Sequence, residues 1–328
     1  MYSLKVRALL LTPGELWRND SQRSPFSADP QSSPGVFFVP RPFCRSTSVL
    51  PIATSRTVTA TGAITGVFTS LWAHRSLVGQ LVRREFESRF RGSFLGLLWA
   101  ILQPLCLLAV YTFVFSQVFK ARWSVDAGDP APFALVLFAG LIIFNLFSEA
   151  FNRAPRLILQ NPSYIKRVVF PLEVLPWVTL LSGLITALIS GALLLVFYLF
   201  CFGAPPLSSL YVPILLLPVC LGTLGAVWFI SSIGVYLRDI QHGTAILTTV
   251  LLFLSPIFYP VSAVPERFRE VIFLNPLTGV IEMIRGALFF GTPPSLVALV
   301  ALVAASWAFA AAGYWWFMRL RRGFADVV

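Results

Sequence analysis

Charge is scarce in this chain: only 12% of its 328 residues are Asp, Glu, Lys or Arg, about half the share that a soluble domain uses to cover its surface. Lysine is rarer still, with three in all (Lys5, Lys120 and Lys166). None follows the glycine pattern of a Walker loop, so the chain has no phosphate cradle and does not hydrolyse ATP itself. His74 and His242 are the only histidines, which argues against a His-built metal centre. Cys44, Cys106, Cys201 and Cys220 show no CxxC spacing, and three of them sit inside apolar runs. They read as small buried hydrophobes, not as a metal site or a disulfide framework. No GxSxG or HExxH occurs, and Glu173, Asp239, Glu266 and Glu282 stand singly, not paired for acid–base work. These absences leave no catalytic residue, no metal site and no cofactor to assign to this chain.

What is abundant is apolar length. Hydrophobic residues make up 57% and mean hydropathy is +0.79. The run 94–119 has 26 residues without one charge. At 1.5 Å per helical residue it exceeds the roughly 30 Å hydrocarbon core of a bilayer. The arginines just before it cannot follow it into lipid, so they hold its start at one membrane face. The net charge of +11 does not indicate a nucleic-acid partner. The basic residues come in short blocks between apolar runs, where topology is decided, and not on one interleaved face.

Taken in order, residues 1–69 differ from the rest. They hold seven prolines, seven basic and three acidic residues and no run of spanning length, so a disordered or mis-started tail is expected ahead of a transmembrane domain, 70–328. Leu9-Leu10-Leu11 is too short for a signal-peptide core. Over 71–91 the pattern is helical: Val78, Val82, Phe86 and Phe90 share one arc and Arg83, Glu87 and Arg91 the opposite one. Arg75 and Arg89 interrupt the apolar arc, with stems long enough to snorkel. This predicts an interfacial helix. Spans are expected at about 94–119, 132–148, 174–200, 210–237, 241–263 and 295–318. Gln103-Pro104 should bend the first, with the polar Gln facing protein or water. The 64 residues of 174–237 carry no charge and fit two spans joined by a tight turn near 201–209. With the N-terminus inside, inner segments of this domain carry thirteen Lys or Arg against five outside, which puts both termini in the cytoplasm.

The segment 264–291 is too charged to span and too apolar to be a solvated loop. Asn275-Pro276 has the form of an N-cap followed by proline at the first helical position. Two short helices are expected, about 265–274 and 276–289, dipping into the outer leaflet and lining the exit of a pathway. The fold class is therefore all-α: a polytopic membrane protein with six transmembrane helices, an interfacial helix and two short re-entrant helices. The spans hold almost nothing titratable, whereas an ion-driven transporter keeps carboxylates or arginines near mid-membrane. Energy must then arrive through a cytoplasmic surface.

Four motifs in order around these spans, FRGSFLGLLWAILQPL (90–105), IKRVVFPLEVLP (165–176), RDI (238–240) and LNPLTGVIEMIRGALF (274–289), resemble the type-2 ABC exporter permeases that move O-antigen, capsule and teichoic-acid polymers. The resemblance covers the chain from about residue 71 to its end. It implies a homodimer in the bacterial inner membrane, paired with two separate ATPase subunits that bind Mg-ATP, and a lipid-linked glycan as cargo among membrane lipids. It implies a coupling helix in the second-to-third loop, here with Arg153, Arg156, Lys166 and Arg167, and a second ATPase contact on the interfacial helix through Arg83 and Arg84. Leu172 stands where the family often has a charge. Trp99, Gln103, Tyr111, Phe253, Phe258, Tyr259, Asn275 and Pro276 are candidates for the channel and its gate, since sugar C–H faces slide on aromatic rings. The alternatives are a type-2 exporter of a small hydrophobic drug or lipid, and a membrane-embedded glycan-modifying enzyme, which would need acidic pairs that the sequence lacks.

Overall fold

A computed structural model describes residues 60–118, 133–165 and 170–327. The expected tail up to residue 59, the loop expected after the first span, Lys166 and Arg167 lie outside the described residues. Helices follow one another along the chain: α1 (Ala60–Ala73), α2 (Arg75–Phe90), α3 (Trp99–Tyr111), α4 (Phe133–Arg153), α5 (Pro162–Ile165), α6 (Leu175–Phe202), α7 (Val212–Gly234), α8 (Ile240–Leu254), α9 (Glu266–Phe273), α10 (Pro276–Phe289), α11 (Leu296–Leu320) and α12 (Phe324–Val327). No strand occurs among the described residues, and the chain is an all-α, multi-pass membrane protein. Five helical segments are long and apolar enough to cross a membrane: Gly96–Phe115, Phe133–Arg156, Leu172–Phe202, Leu207–Gly234 and Leu296–Gly323. The bent pair α9 and α10 makes a sixth if counted as one broken span.

Several boundaries differ from the sequence expectation, each for a physical reason. Residues 60–69, grouped with the tail, belong to α1, an uncharged helix whose Val67 is fully buried. Phe68 stacks on Trp307 of α11 at 5.0 Å. The helix expected over 71–91 is broken at His74, so α1 and α2 are separate elements. Gly92 and Gly96, at φ 85° and 49°, supply the left-handed conformations that turn the chain from α2 into α3. α3 runs through Pro104, and Thr112–Val118 continues it as a π-helix. α4 extends past the expected end at 148 to Arg153. Glu149 and Arg153 find partners on α2, so these charges do not stop the helix.

The core forms where α7 packs along α11 and against α4 and α10. Small residues allow the close approach, as is usual where lipid removes the hydrophobic drive between helices. A Cβ added at Gly313 would clash with the Gly225 carbonyl and lie 3.0 Å from Gly225 Cα, and one at Gly225 would lie 2.9 Å from Ala310 Cα. Trp228 is wholly buried, set edge-on to Trp177 at 6.1 Å and to Tyr314 at 5.1 Å.

The fifth segment was expected to be helical over 241–263, but α8 stops at Leu254. Pro256 lacks an N–H and disfavours helix in the residue before it. The chain then turns through Ser255–Pro260 and enters α9 and α10, which meet at 100°. Asn275 caps α10 as its position suggests, its side chain accepting from the Leu277 amide at 3.1 Å. Its amide also donates to Ser255 Oγ at 2.8 Å.

Arg285 holds this junction together. It is 1% exposed and donates to the carbonyls of Val136 at 3.0 Å, Ile257 at 3.1 Å and Pro256, and to Glu282 at 3.1 Å. Gly140 leaves room for it: a Cβ there would meet Arg285 Nη2 at 2.5 Å. Arg285→Met removes the donor and leaves these carbonyls in an apolar interior, a cost of about 3 kcal/mol. The thermal midpoint of the detergent-solubilised protein should fall accordingly, and a midpoint equal to wild type would contradict the clamp.

Candidate functional site

Charged residues gather at one end of the bundle, where α2 lies beside the C-terminal turn of α4. Glu85 and Arg89 are one turn apart on α2, and Glu149 and Arg153 are one turn apart on α4. They cross-pair as Arg153–Glu85 and Arg89–Glu149. Arg89 also donates to Ser182 Oγ at 2.9 Å and Thr186 Oγ1 at 3.5 Å on α6. Arg89, read from the sequence as a snorkelling side chain, therefore turns inward and joins three helices. Val78 and Val82, from the apolar arc of α2, are buried with Val174 and Val178.

Beyond α4 the chain makes a 3₁₀ turn, Ala154–Arg156, and then the short α5. Two cavities flank this turn. One of about 250 Å³ is lined by Arg84, Glu85, Arg153 and Tyr164 among others. The second, of about 270 Å³, is lined by Arg156, Arg238, Gln241 and Gly234 among others. Arg156 Nε donates to Gln241 Oε1 at 2.5 Å, tying the turn to the start of α8. Of the six basic residues assigned to coupling, the structure thus brings Arg84 and Arg153 into one cavity and sets Arg156 in the next. Arg83 points away from both, paired with Glu87 at 2.8 Å on the exposed face of α2. Lys166 and Arg167 lie outside the described residues.

The ends of that undescribed stretch are tied down. Tyr164 stacks on Phe170 at 4.3 Å, and Arg321 donates to the Phe170 carbonyl at 3.3 Å. Arg321 also pairs with Glu173 at 2.6 Å, whose backbone carbonyl accepts from Trp228 Nε1 at 3.2 Å. Leu172, the departure from the family pattern, is buried. Arg321, from the C-terminal arginine block, therefore braces Phe170 and Glu173.

The channel and gate candidates fall into two groups. Trp99 and Gln103 sit one turn apart on α3, both exposed, with Gln103 on the wall of a third cavity. Tyr111 lies at the other end of α3, 6.4 Å from Phe115. Phe115 reaches Phe258 at 6.5 Å, and Phe258 reaches Phe253 at 6.2 Å. Tyr259 donates its hydroxyl to the Phe253 carbonyl at 2.9 Å. Asn275 and Pro276 begin α10 beside Ser255. So Tyr111, Phe253, Phe258 and Tyr259 join one aromatic junction where α3 meets the end of α8, while Trp99 and Gln103 do not reach it.

Sequence reasoning missed Glu85, Glu149, Arg285 and Arg321 as organising residues. Arg285 carried a visible signal: a guanidinium inside the apolar helix 276–289 must find protein partners. The others depend on pairings between distant segments, such as Glu85 with Arg153, 68 residues apart. Among the described residues no His, Cys, Asp or Glu group could hold a metal ion.

The chain matches the family model described as "ABC-2 type transporter" over residues 76–289. It is 28% identical over 238 residues to an O-antigen export system permease protein, RfbA, of Myxococcus xanthus, covering 72% of this chain and 89% of that one. A protein of the same name from Klebsiella pneumoniae is 25% identical over 214 residues, 65% of this chain and 80% of that one. The polysialic acid transport protein KpsM of Escherichia coli is 29% identical over 217 residues, 65% of this chain and 81% of that one.

Reversing the sign of either partner in the Glu85–Arg153 pair should destabilise the α2–α4 seam, and the double exchange Glu85→Arg with Arg153→Glu should recover about 1 kcal/mol of that loss. A double-mutant cycle on thermal midpoints measures it; strictly additive losses would show that the pair carries no coupling.

Proposed function

The chain belongs to the ABC-2 type transporter family, and from that premise we propose that it is the permease half of an ATP-driven exporter of a lipid-linked polysaccharide or polyol-phosphate polymer. The observation that carries this reading is the set of relatives named for O-antigen export and polysialic acid transport, matched over most of their own length. In this reading two copies of the chain pair in the inner membrane, with both termini in the cytoplasm, and two ATPase chains dock from the cytoplasmic side.

The geometry suggests how force would travel. Closure of the ATPases pushes on the turn after α4, through Arg153 and Arg156; Lys166 and Arg167 share that docking role by the family resemblance. The Arg153–Glu85 and Arg89–Glu149 pairs join α2 to α4, so this push moves the interfacial helix and the second span together. Arg321 and Glu173 stiffen the far side of the loop. Motion of α3 relative to α8 would then open the aromatic junction of Tyr111, Phe115, Phe258 and Phe253. Rings there offer a sliding surface to sugar C–H faces without deep wells. The α9–α10 pair, as a re-entrant hairpin in the outer leaflet, forms the exit.

Deleting the gene should make lipid-linked polymer accumulate inside the cell and vanish from its surface. Drug sensitivity with normal surface polymer would favour a small hydrophobic cargo and sink the polysaccharide reading. For the coupling surface, Arg156→Glu combined with Lys166→Glu and Arg167→Glu should cut recovery of a copurifying ATPase about tenfold, a change of ~1.4 kcal/mol. Arg83→Glu, on the other face of α2, should cut it less; equal recovery in all variants would remove the turn from the docking surface.

A further inference from the structure

A third cavity, of about 480 Å³, opens between α2, α3, α4 and α6; its wall carries Gln103 and the Arg89–Glu149 pair, and the export reading assigns it no occupant. Its walls change character along its length. At the α2 end stand Arg89, Glu149 and Asn145, faced by Gln103; farther along α4 come Ile142 and Phe138. The hydroxyls of Thr186 and Ser190, also on the wall, bond to carbonyls of their own helix. From Glu149 to Phe138 the cavity follows eleven residues of α4, about 16 Å, which is about one leaflet of a 30 Å core.

Asn145 is the single exposed residue in 133–146, a stretch otherwise buried. Its side-chain amide and that of Gln103 make no hydrogen bond among the described residues, although both sit beside apolar neighbours at membrane depth. Such groups in lipid require a polar partner. The charges at the cavity's end sum to zero, because Arg89 and Glu149 lie side by side. A purely anionic head would gain from one and be repelled by the other. A head carrying a phosphodiester and a primary ammonium matches both, and a primary ammonium can donate N–H bonds to a carboxylate where a quaternary one cannot.

We infer that this cavity binds one ethanolamine-type glycerophospholipid of the surrounding bilayer. Its phosphate sits at Arg89 and its ammonium at Glu149. The glycerol ester region lies at Asn145 and Gln103, and one acyl chain runs along Ile142 and Phe138. Pockets between spans with charge at the headgroup level are a general mode of lipid recognition. A bound lipid here would fill the seam joining α2, α3 and α4.

Native mass spectrometry of the full-length protein, delipidated in detergent, tests this directly. The probes are phosphatidylethanolamine, phosphatidylcholine, phosphatidylglycerol and a polyprenyl phosphate, added singly and in competition. One phosphatidylethanolamine should be retained about tenfold more tightly than phosphatidylglycerol or phosphatidylcholine. Gln103→Leu with Asn145→Leu fills the cavity with apolar side chains while sparing the ion pair, and should abolish that adduct. Glu149→Gln, nearly isosteric, should erase the preference over phosphatidylcholine; thermal midpoints identify any variant that fails to fold, and the wild-type preference stands as an independent readout. Phosphatidylglycerol bound as tightly as phosphatidylethanolamine, an adduct unchanged by the leucine pair, or displacement of phosphatidylethanolamine by the polyprenyl phosphate would each overturn the assignment.

Discussion

A helix that stops inside a membrane leaves carbonyls without partners, and lipid offers none. α8 stops at Leu254 after 15 residues, about 22 Å at helical rise and short of a full crossing. The carbonyls of Pro256 and Ile257 just beyond it accept from Arg285, which reaches back from α10 and also bonds Val136 on α4. Asn275 closes the same junction by bonding Ser255 while capping α10. The break after α8 and the start of α10, where the chain bends by 100° from α9, are therefore held by two polar side chains, Arg285 on the Pro256 and Ile257 carbonyls and Asn275 on the Leu277 amide. Without them the segment after α8 could neither continue as a span nor turn back at membrane depth.

The same accounting explains the seam at the other end. Four charged side chains on α2 and α4 alternate in sign at one-turn spacing, so each helix presents an acid where the other presents a base. A single exposed pair of this kind contributes little. Two pairs in register, with Arg89 further held by Ser182 and Thr186, fix the rotation of α2 about its axis as well as its position. Arg83 and Glu87 continue the pattern on the outward face of α2 but pair only with each other, which leaves that face open to another surface.

How much of this was legible from the residues varies with distance along the chain. Uncharged runs longer than a bilayer is thick mark the long spans, and Asn275-Pro276 marks the start of α10, because those signals are local. The start of α1 is not legible because ten of its fourteen uncharged residues, 60–69, follow directly on a long polar, proline-rich segment. The end of α4 was placed too early because Glu149 and Arg153 look like a loop until their partners on α2 are known. Those partners lie sixty or more residues away, as Arg89 does from Glu149 and Glu85 from Arg153. Of the gate candidates, Tyr111, Phe253, Phe258 and Tyr259 meet in one junction, while Trp99 and Gln103 stand at the opposite end of α3. Composition identified aromatic residues in both places, but only folding decides which rings face one another.

Arg285 also bears on where the energy for transport would come from. A charge buried within the α10 helix could mark a proton or ion relay, which would remove the need for an external motor. Its chemistry argues otherwise. A guanidinium does not release its proton under physiological conditions, and three of the acceptors around it are backbone carbonyls that must keep their donor for the bend to hold. Glu282, the carboxylate beside it, is bonded to that same guanidinium and stands one helical turn away. A relay needs groups that change protonation and partners that tolerate the change. The guanidinium cannot make that change and its carbonyl partners cannot tolerate losing its protons, so the charge of Arg285 is committed to structure. The other cross-helix charge pairs, Arg153–Glu85 and Arg89–Glu149, sit at the α2–α4 end, where the proposed ATPase would push.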